Sequence, residues 1–197
     1  DGIISGSHNL GIEEYHQLTA PIVSFDRYLA DNIPIIAADS YHGGELSAKY
    51  LVEHDVKHLA VIVDEDTSVS PTINRIQGAL DFLNKQKRDF EPLAIQHLDL
   101  EATFPGDYDG VLASNDVQAL TITNLYYQAG KQINKDFFIT GYDGSRLIRK
   151  VAPYLPTVIQ PIPLLAHELI ETLMKRIETP HEKIETKLVP VEFYQPK

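Results

Sequence analysis

A short apolar strand that stops abruptly at a polar cluster is written three times in this chain: PIVSFDR over Pro21–Arg27, GVLASND over Gly110–Asp116, and FFITGYDG over Phe137–Gly144. Runs that are apolar throughout, rather than alternating, are how strands buried on both faces of a parallel sheet read. All strands of such a sheet point the same way, and ligands collect in the crevice beyond their carboxyl ends. Asp26, Asn115 and Asp143 are therefore predicted to stand on that rim. Carboxylates and amides there are hydrogen-bonding groups suited to a polar small molecule.

The rest of the chain repeats the theme. Strands are predicted at Gly2–Ser5, Ile22–Phe25, Ile35–Ala38, Leu59–Val63, Leu93–Leu98, Val111–Ser114, Phe138–Gly141 and Thr157–Ile159. Helices are predicted between them, at Ser40–His54, Thr72–Lys85, Val117–Ala129 and Leu164–Ile177. The last carries Leu165, Leu169, Leu173 and Ile177 at every fourth position. Alternation at this density means βαβ units, hence an α/β fold. The tail, Ile184–Tyr194, alternates instead and reads as a strand in two pieces broken at Pro190. Breaks near Asp39–Gly43 and Gln160–Pro163 suggest two lobes sharing crossing segments.

Composition excludes several classes of function. The 197 residues are 43% hydrophobic and carry a formal net charge of −11, so a bare phosphate backbone would be repelled by this surface. The absence of cysteine removes disulfides, thiolate metal sites and a cysteine nucleophile, and fits a reducing cytoplasm. The eight histidines are scattered, with no HExxH, and no Walker loop, GxGxxG or Gly-x-Ser-x-Gly elbow occurs. Neither a metal, a cofactor nor a membrane is called for.

Each rim residue has a plain structural reading beside the functional one. Asp26 could accept two bonds from neighbouring hydroxyls, or instead cap a helix or pair with Arg27. Asp116 is placed to cap the helix that follows it, which leaves Asn115 for ligand contact. Asp143 lies between Gly141 and Gly144, and could be a turn residue or a close ligand contact. Arg75 falls in the first turn of a helix, where the dipole disfavours a cation. A fork of donors aimed at an anion or at vicinal oxygens would explain it; a solvated surface Arg is the alternative.

Taken in order, seven segments resemble the lactose-repressor (LacI/GalR) family of bacterial transcription regulators. They are Asp1-Gly-Ile-Ile, Val23-Ser-Phe-Asp26-Arg27, Ala38-Asp39-Ser-Tyr-His-Gly43, Ser70 with Arg75-Ile-Gln-Gly78, Ala113-Ser-Asn115-Asp116, Thr140-Gly-Tyr-Asp143, and Pro156-Thr-Val-Ile-Gln160-Pro161. The resemblance implies a periplasmic-binding-protein-like fold of two Rossmann-like lobes with parallel sheets joined by three crossovers. Residues 1–39 with 161–188 would form the N-terminal lobe, incomplete at its start, and 40–160 with 189–197 the C-terminal lobe. The resemblance further implies a small effector between the lobes, a sugar or sugar phosphate, contacted by Asp26, Arg75, Asn115 and Asp143, with Ser70 and Gln160 as weaker contacts.

By the same resemblance the chain would be the effector core of a dimeric cytoplasmic repressor, without enzymatic activity. Its operator DNA would be held by a headpiece that has no counterpart in these residues. Phe104 or Tyr108 would have to supply the aromatic residue that packs on the sugar in that family. The competing readings are an extracytoplasmic sugar-binding protein of a transport system, and a hydrolase with paired carboxylates such as Asp26 and Asp143, for which no distinct general acid and base stand out.

Overall fold

The structure, a computed structural model, describes residues 1–6, 19–63, 71–180, 182 and 184–196. Along the chain the strands are β1 (Ile3–Ser5), β2 (Ile22–Phe25), β3 (Ile35–Ala38), β4 (Leu59–Val63), β5 (Glu91–Ala94), β6 (Gly110–Leu112), β7 (Phe138–Asp143), β8 (Thr157–Ile159), β9 (Lys187–Val189) and β10 (Glu192–Tyr194). The α-helices are α1 (Ser40–Glu53), α2 (Pro71–Lys85), α3 (Leu100–Thr103), α4 (Asp116–Gln128), α5 (Arg146–Val151) and α6 (Ile162–Glu178).

These elements form two compact units. One is built mainly from Asp1–Asp39 with Pro161–Pro190, the other from Ser40–Thr67, Thr72–Gln160 and Val191–Lys197. The chain passes between them at Asp39–Ser40, Gln160–Pro161 and Pro190–Val191. Val189 pairs with Ala38 in the first unit, whereas Phe193 pairs with Val158 in the second. Pro190 supplies the break: it has no N–H for a ladder and divides the tail between two sheets.

The sheet of the first unit has the order β1-β2-β3-β9, and every pairing is parallel. Helix α6 packs on β2 and β3. It does so through Leu165, Leu169 and Thr172, which lie on one face at helical spacing.

The sheet of the second unit has the order β10-β8-β7-β6-β4-β5. It is parallel except for β10, which runs antiparallel to β8 along one edge. Its strands feed two cores by period-2 alternation. Ala60, Ile62, Val111, Ala113 and Ile139 pack with Ala119, Ile122 and Tyr126 of α4. Val61 and Leu112 point to the other face, against Ala48 and Leu51 of α1 and Ala79 and Leu83 of α2. Continuous apolar strands are thus buried on both faces, and a side chain such as Ile62, wholly removed from water, contributes about 2–3 kcal/mol relative to exposure.

One strand differs from its sequence reading by more than a shift of its ends. The apolar run Leu93–Leu98 is not one strand: β5 ends at Ala94, and Ile95–His97 turn into a 3-10 helix. Pro92 looks like a boundary in sequence, yet it lies inside β5 because β5 is the edge of its sheet, where a missing N–H is tolerated.

Candidate functional site

In the second unit the sheet order reverses at β4. The chain runs from β4 outward to β5, then returns to β6 on the other side of β4. The crevice between β4 and β6 is the topological switch point of an open α/β sheet, where ligands bind. Helix α2 follows β4 and carries Arg75; Ser114 and Asn115 follow β6; Asp143 ends β7; Gln160 follows β8.

Arg75 is the centre of this group, with its side chain 9% exposed. One guanidinium nitrogen, Nη1, donates to the Ser114 carbonyl oxygen. Nη2 lies 3.8 Å from Asp143 Oδ1, and the guanidinium carbon sits 3.4 Å from the centroid of the Tyr142 ring. Cation–π stacking and a carboxylate thus offset the removal of this cation from water. Burial pushes the Tyr142 phenol above its usual range, and the Arg75 charge opposes that rise. The helix carrying Arg75 is positioned by two glycines. A β-carbon on Gly44 of α1 would overlap the Arg75 carbonyl, and one on Gly78 of α2 would overlap the Tyr41 carbonyl. Only bare backbone permits α1 and α2 to cross this closely.

Asp143 faces the same group. Its Oδ1 accepts a hydrogen bond from Gln160 Nε2 at 2.7 Å, while its side chain stays 47% exposed. Its φ is 107°, and Gly144 follows at 56°. A non-glycine residue in that region is held against a backbone cost of order 1–3 kcal/mol, and such residues cluster at ligand sites.

The cap expected at Asp116 is made by Asn115 instead. Asn115 has extended backbone angles (φ −156°, ψ 171°), and its Oδ1 accepts the Gln118 N–H at 2.9 Å, so Asn115 is the N-cap of α4. Asp116 is already the first helical residue, and it is 3% exposed. Its Oδ2 accepts the Gly144 N–H at 2.8 Å and its Oδ1 the Thr157 hydroxyl at 2.5 Å. Burial and the neighbouring Asp143 charge raise the Asp116 carboxyl to about 6, against the pull of those hydrogen bonds. The spacing Asn115-x-x-Gln118 is the signal for the cap: the Gln118 side chain reaches back to the Ser114 N–H at 3.1 Å. With Oδ1 engaged in the cap, Asn115 offers a ligand its Nδ2 donors.

The structure therefore brings Arg75, Asn115, Asp143 and Gln160 together on one rim, and adds Tyr142, Ser114 and Asp116, which the sequence reading left out of the site. Asp26 ends β2 in the first unit, half-buried, with a φ of 61°. Ser70 lies outside the described residues. Phe104 does not serve as a stacking platform: it is 3% exposed and packs in the core against Tyr126. Tyr108 is half-buried beside it, at 5.7 Å between ring centroids. Among the described residues no cluster of three or more His, Cys, Asp or Glu could hold a metal ion, and no helix is long and apolar enough to cross a membrane.

Comparison with known proteins gives the family of the fold. The family model of the periplasmic binding protein-like domain matches residues 48–195. A sucrose operon repressor of Pediococcus pentosaceus is 36% identical over 95% of this chain and 60% of its own length. A ribose operon repressor of Halalkalibacterium halodurans is 34% identical over 96% of this chain and 61% of its own length. The chain thus spans about three fifths of the curated relatives it matches. Among solved structures, a periplasmic binding protein/LacI transcriptional regulator from Alkaliphilus metalliredigens, complexed with D-xylulofuranose, superposes with a TM-score of 0.84 at 27% identity, covering 98% of this chain and 76% of that one.

Proposed function

Because this chain belongs to the periplasmic binding protein-like family, in the form shared with the effector cores of LacI-type regulators, we propose that it is the effector-binding core of a sugar-responsive transcriptional repressor. The observation that carries this reading is the rim of the second unit, where Arg75, Asn115, Asp143 and Gln160 present donors and acceptors at the switch point of the sheet. Asp26 of the first unit is a further proposed effector contact, and Ser70 a weaker one. The relatives are repressors, which favours regulation over transport.

The proposed effector is a neutral sugar. Arg75 already faces Asp143, and Asp116 lies behind the same turn. A phosphate bound at Arg75 would meet a carboxylate that is held in place by Gln160, and like charges in a partly buried site repel strongly. Hydroxyl groups suit both partners: they donate to Asp143 and accept from Arg75 and Asn115. The relatives are named for sucrose and ribose operons, and one solved relative holds D-xylulofuranose. Those three sugars are the first candidates.

Sugar binding acts on DNA affinity only through a difference in affinity between two arrangements of the regulator. The proposed regulator is a cytoplasmic homodimer that binds operator DNA through a basic headpiece outside these residues, and it binds its sugar without chemistry. The acidic charge of −11 suits that division of labour. Calorimetry against D-ribose, sucrose, D-xylulose and their phosphates tests the reading. Binding of a neutral sugar that is recovered unchanged is the expected result. Silence across the panel ends the proposal, and preference for a phosphate overturns the neutral assignment.

A further inference from the structure

We propose that Asp116 is a positioning residue for the effector site: its buried carboxylate holds the turn that aims Asp143. The proposal rests on the sugar-binding reading above and concerns a residue that need not touch the sugar. Asp116 divides its two oxygens between two elements. Oδ2 takes the Gly144 N–H at the end of β7, and Oδ1 takes the Thr157 hydroxyl at the start of β8. Gly141 makes the approach possible, since a β-carbon there would overlap Asp116 Oδ1. The turn that Asp116 holds is the one with two consecutive positive φ values, at Asp143 and Gly144. Asp143 in turn accepts from Gln160 Nε2 and faces Arg75, while its carbonyl accepts the Gln160 N–H at 3.2 Å. One buried carboxylate therefore ties the end of β7, which carries Asp143, to the start of β8.

Such a support is sensitive to protonation. An ionised carboxylate accepts from both donors, whereas a protonated one has a single carbonyl oxygen of full acceptor strength. Burial and the Asp143 charge bring this change to about pH 6. The charged groups around the turn are Asp143 on β7, Arg75 on α2 at 3.8 Å from Asp143, and Arg149 on α5, whose Nε donates to the Gly144 carbonyl at 3.0 Å. The turn should loosen as pH falls through that range, and sugar affinity should fall with it.

The test compares the full chain with Asp116→Asn and Thr157→Val. The Gly144 amide and the Gln160 side-chain amide are followed by NMR without ligand, and affinity for D-ribose, sucrose and D-xylulose is followed by calorimetry. In the native chain both amides should titrate with a midpoint near 6. Affinity for whichever sugar binds should drop about tenfold between about pH 7.5 and about pH 5. In Asp116→Asn the amides should be displaced and flat with pH, and affinity should be weak and pH-independent. In Thr157→Val the midpoint should rise, because the Thr157 bond lowers the Asp116 value. If Asp116→Asn fails to fold, the native titration and Thr157→Val still decide. A Gln160 amide that ignores pH in the native chain, or a Thr157→Val midpoint that does not move, overturns the positioning role. Failure of every sugar to bind overturns the functional reading instead, while the amide titrations still judge Asp116.

Discussion

Asp26 and Asp143 each end a parallel strand, and each adopts a positive φ, 61° and 107°. The two conformations are held by different means. At Asp26 the N–H donates to the Ile36 carbonyl of β3 at 2.9 Å, and the Ser24 hydroxyl closes onto the Arg27 carbonyl. At Asp143 the next residue is Gly144, whose N–H is taken by the carboxylate of Asp116. Two residues of the same type in the same kind of position therefore differ in what can disturb them. The first has bonds to neighbouring backbone; the second depends on an ionisable group that holds the glycine after it.

The largest expected contrast is in binding. Asp143→Ala should weaken sugar affinity by about 100-fold or more, because it also leaves the buried Arg75 without its carboxylate. Asp26→Ala should cost about tenfold, the worth of a hydrogen bond to a charged group. Equal losses by calorimetry would break the comparison.

Next comes the pH dependence of stability. The Asp116 carboxyl titrates at about 6 in the folded chain against 3.8 as its ordinary value, so the folded state takes up the proton first. Relative to Asp116→Asn, the native chain should gain on the order of 3 kcal/mol as pH falls from about 7 to about 4, and lose it as pH rises through 6. Urea unfolding of both proteins at the two pH values measures this. A constant difference would show that Asp116 is not buried as described. This gain in stability runs opposite to the expected loss of affinity, which marks the ionised Asp116 as a functional rather than a stabilising feature.

A smaller effect is expected at Gly144→Ala. A β-carbon there would lie 2.7 Å from the Ile159 Cα, at a φ of 56°. Denaturant unfolding should register a loss of about 1–3 kcal/mol. The smallest is Asn115→Ala, which removes the N-cap of α4 and should cost about 1 kcal/mol of stability. An unchanged midpoint for Asn115→Ala would return the cap to Asp116.

The outline of the fold was legible because burial on both faces of a parallel sheet writes itself as short continuous apolar runs. Ile22–Phe25, Ile35–Ala38, Leu59–Val63 and Thr157–Ile159 have the same bounds in sequence and structure. Where position in the sheet decides, local pattern misleads: β5 is an edge strand that accepts Pro92 and stops early. The short helices α3 and α5, of four and six residues, carry too little periodicity to read in sequence. At the rim, the residue types were legible and their partners were not. Nothing in Asp143-Gly144 announces that its N–H will meet a carboxylate 28 positions earlier. Neither does Arg75 reveal that it will stack on Tyr142 rather than face solvent.

The sequence by itself determined the alternation of strands and helices, the polar stops at Asp26, Asn115 and Asp143, and the acidic surface, because these are local patterns of hydrophobicity, turn chemistry and charge. Tertiary structure alone decided which of two adjacent residues caps α4, which becomes a buried carboxylate near pH 6, and which side of Arg75 meets a ring. Those outcomes depend on contacts between segments far apart in the chain. Burial there sets the worth of each charge, and the backbone space left by Gly44, Gly78 and Gly141 sets how closely the partners can approach.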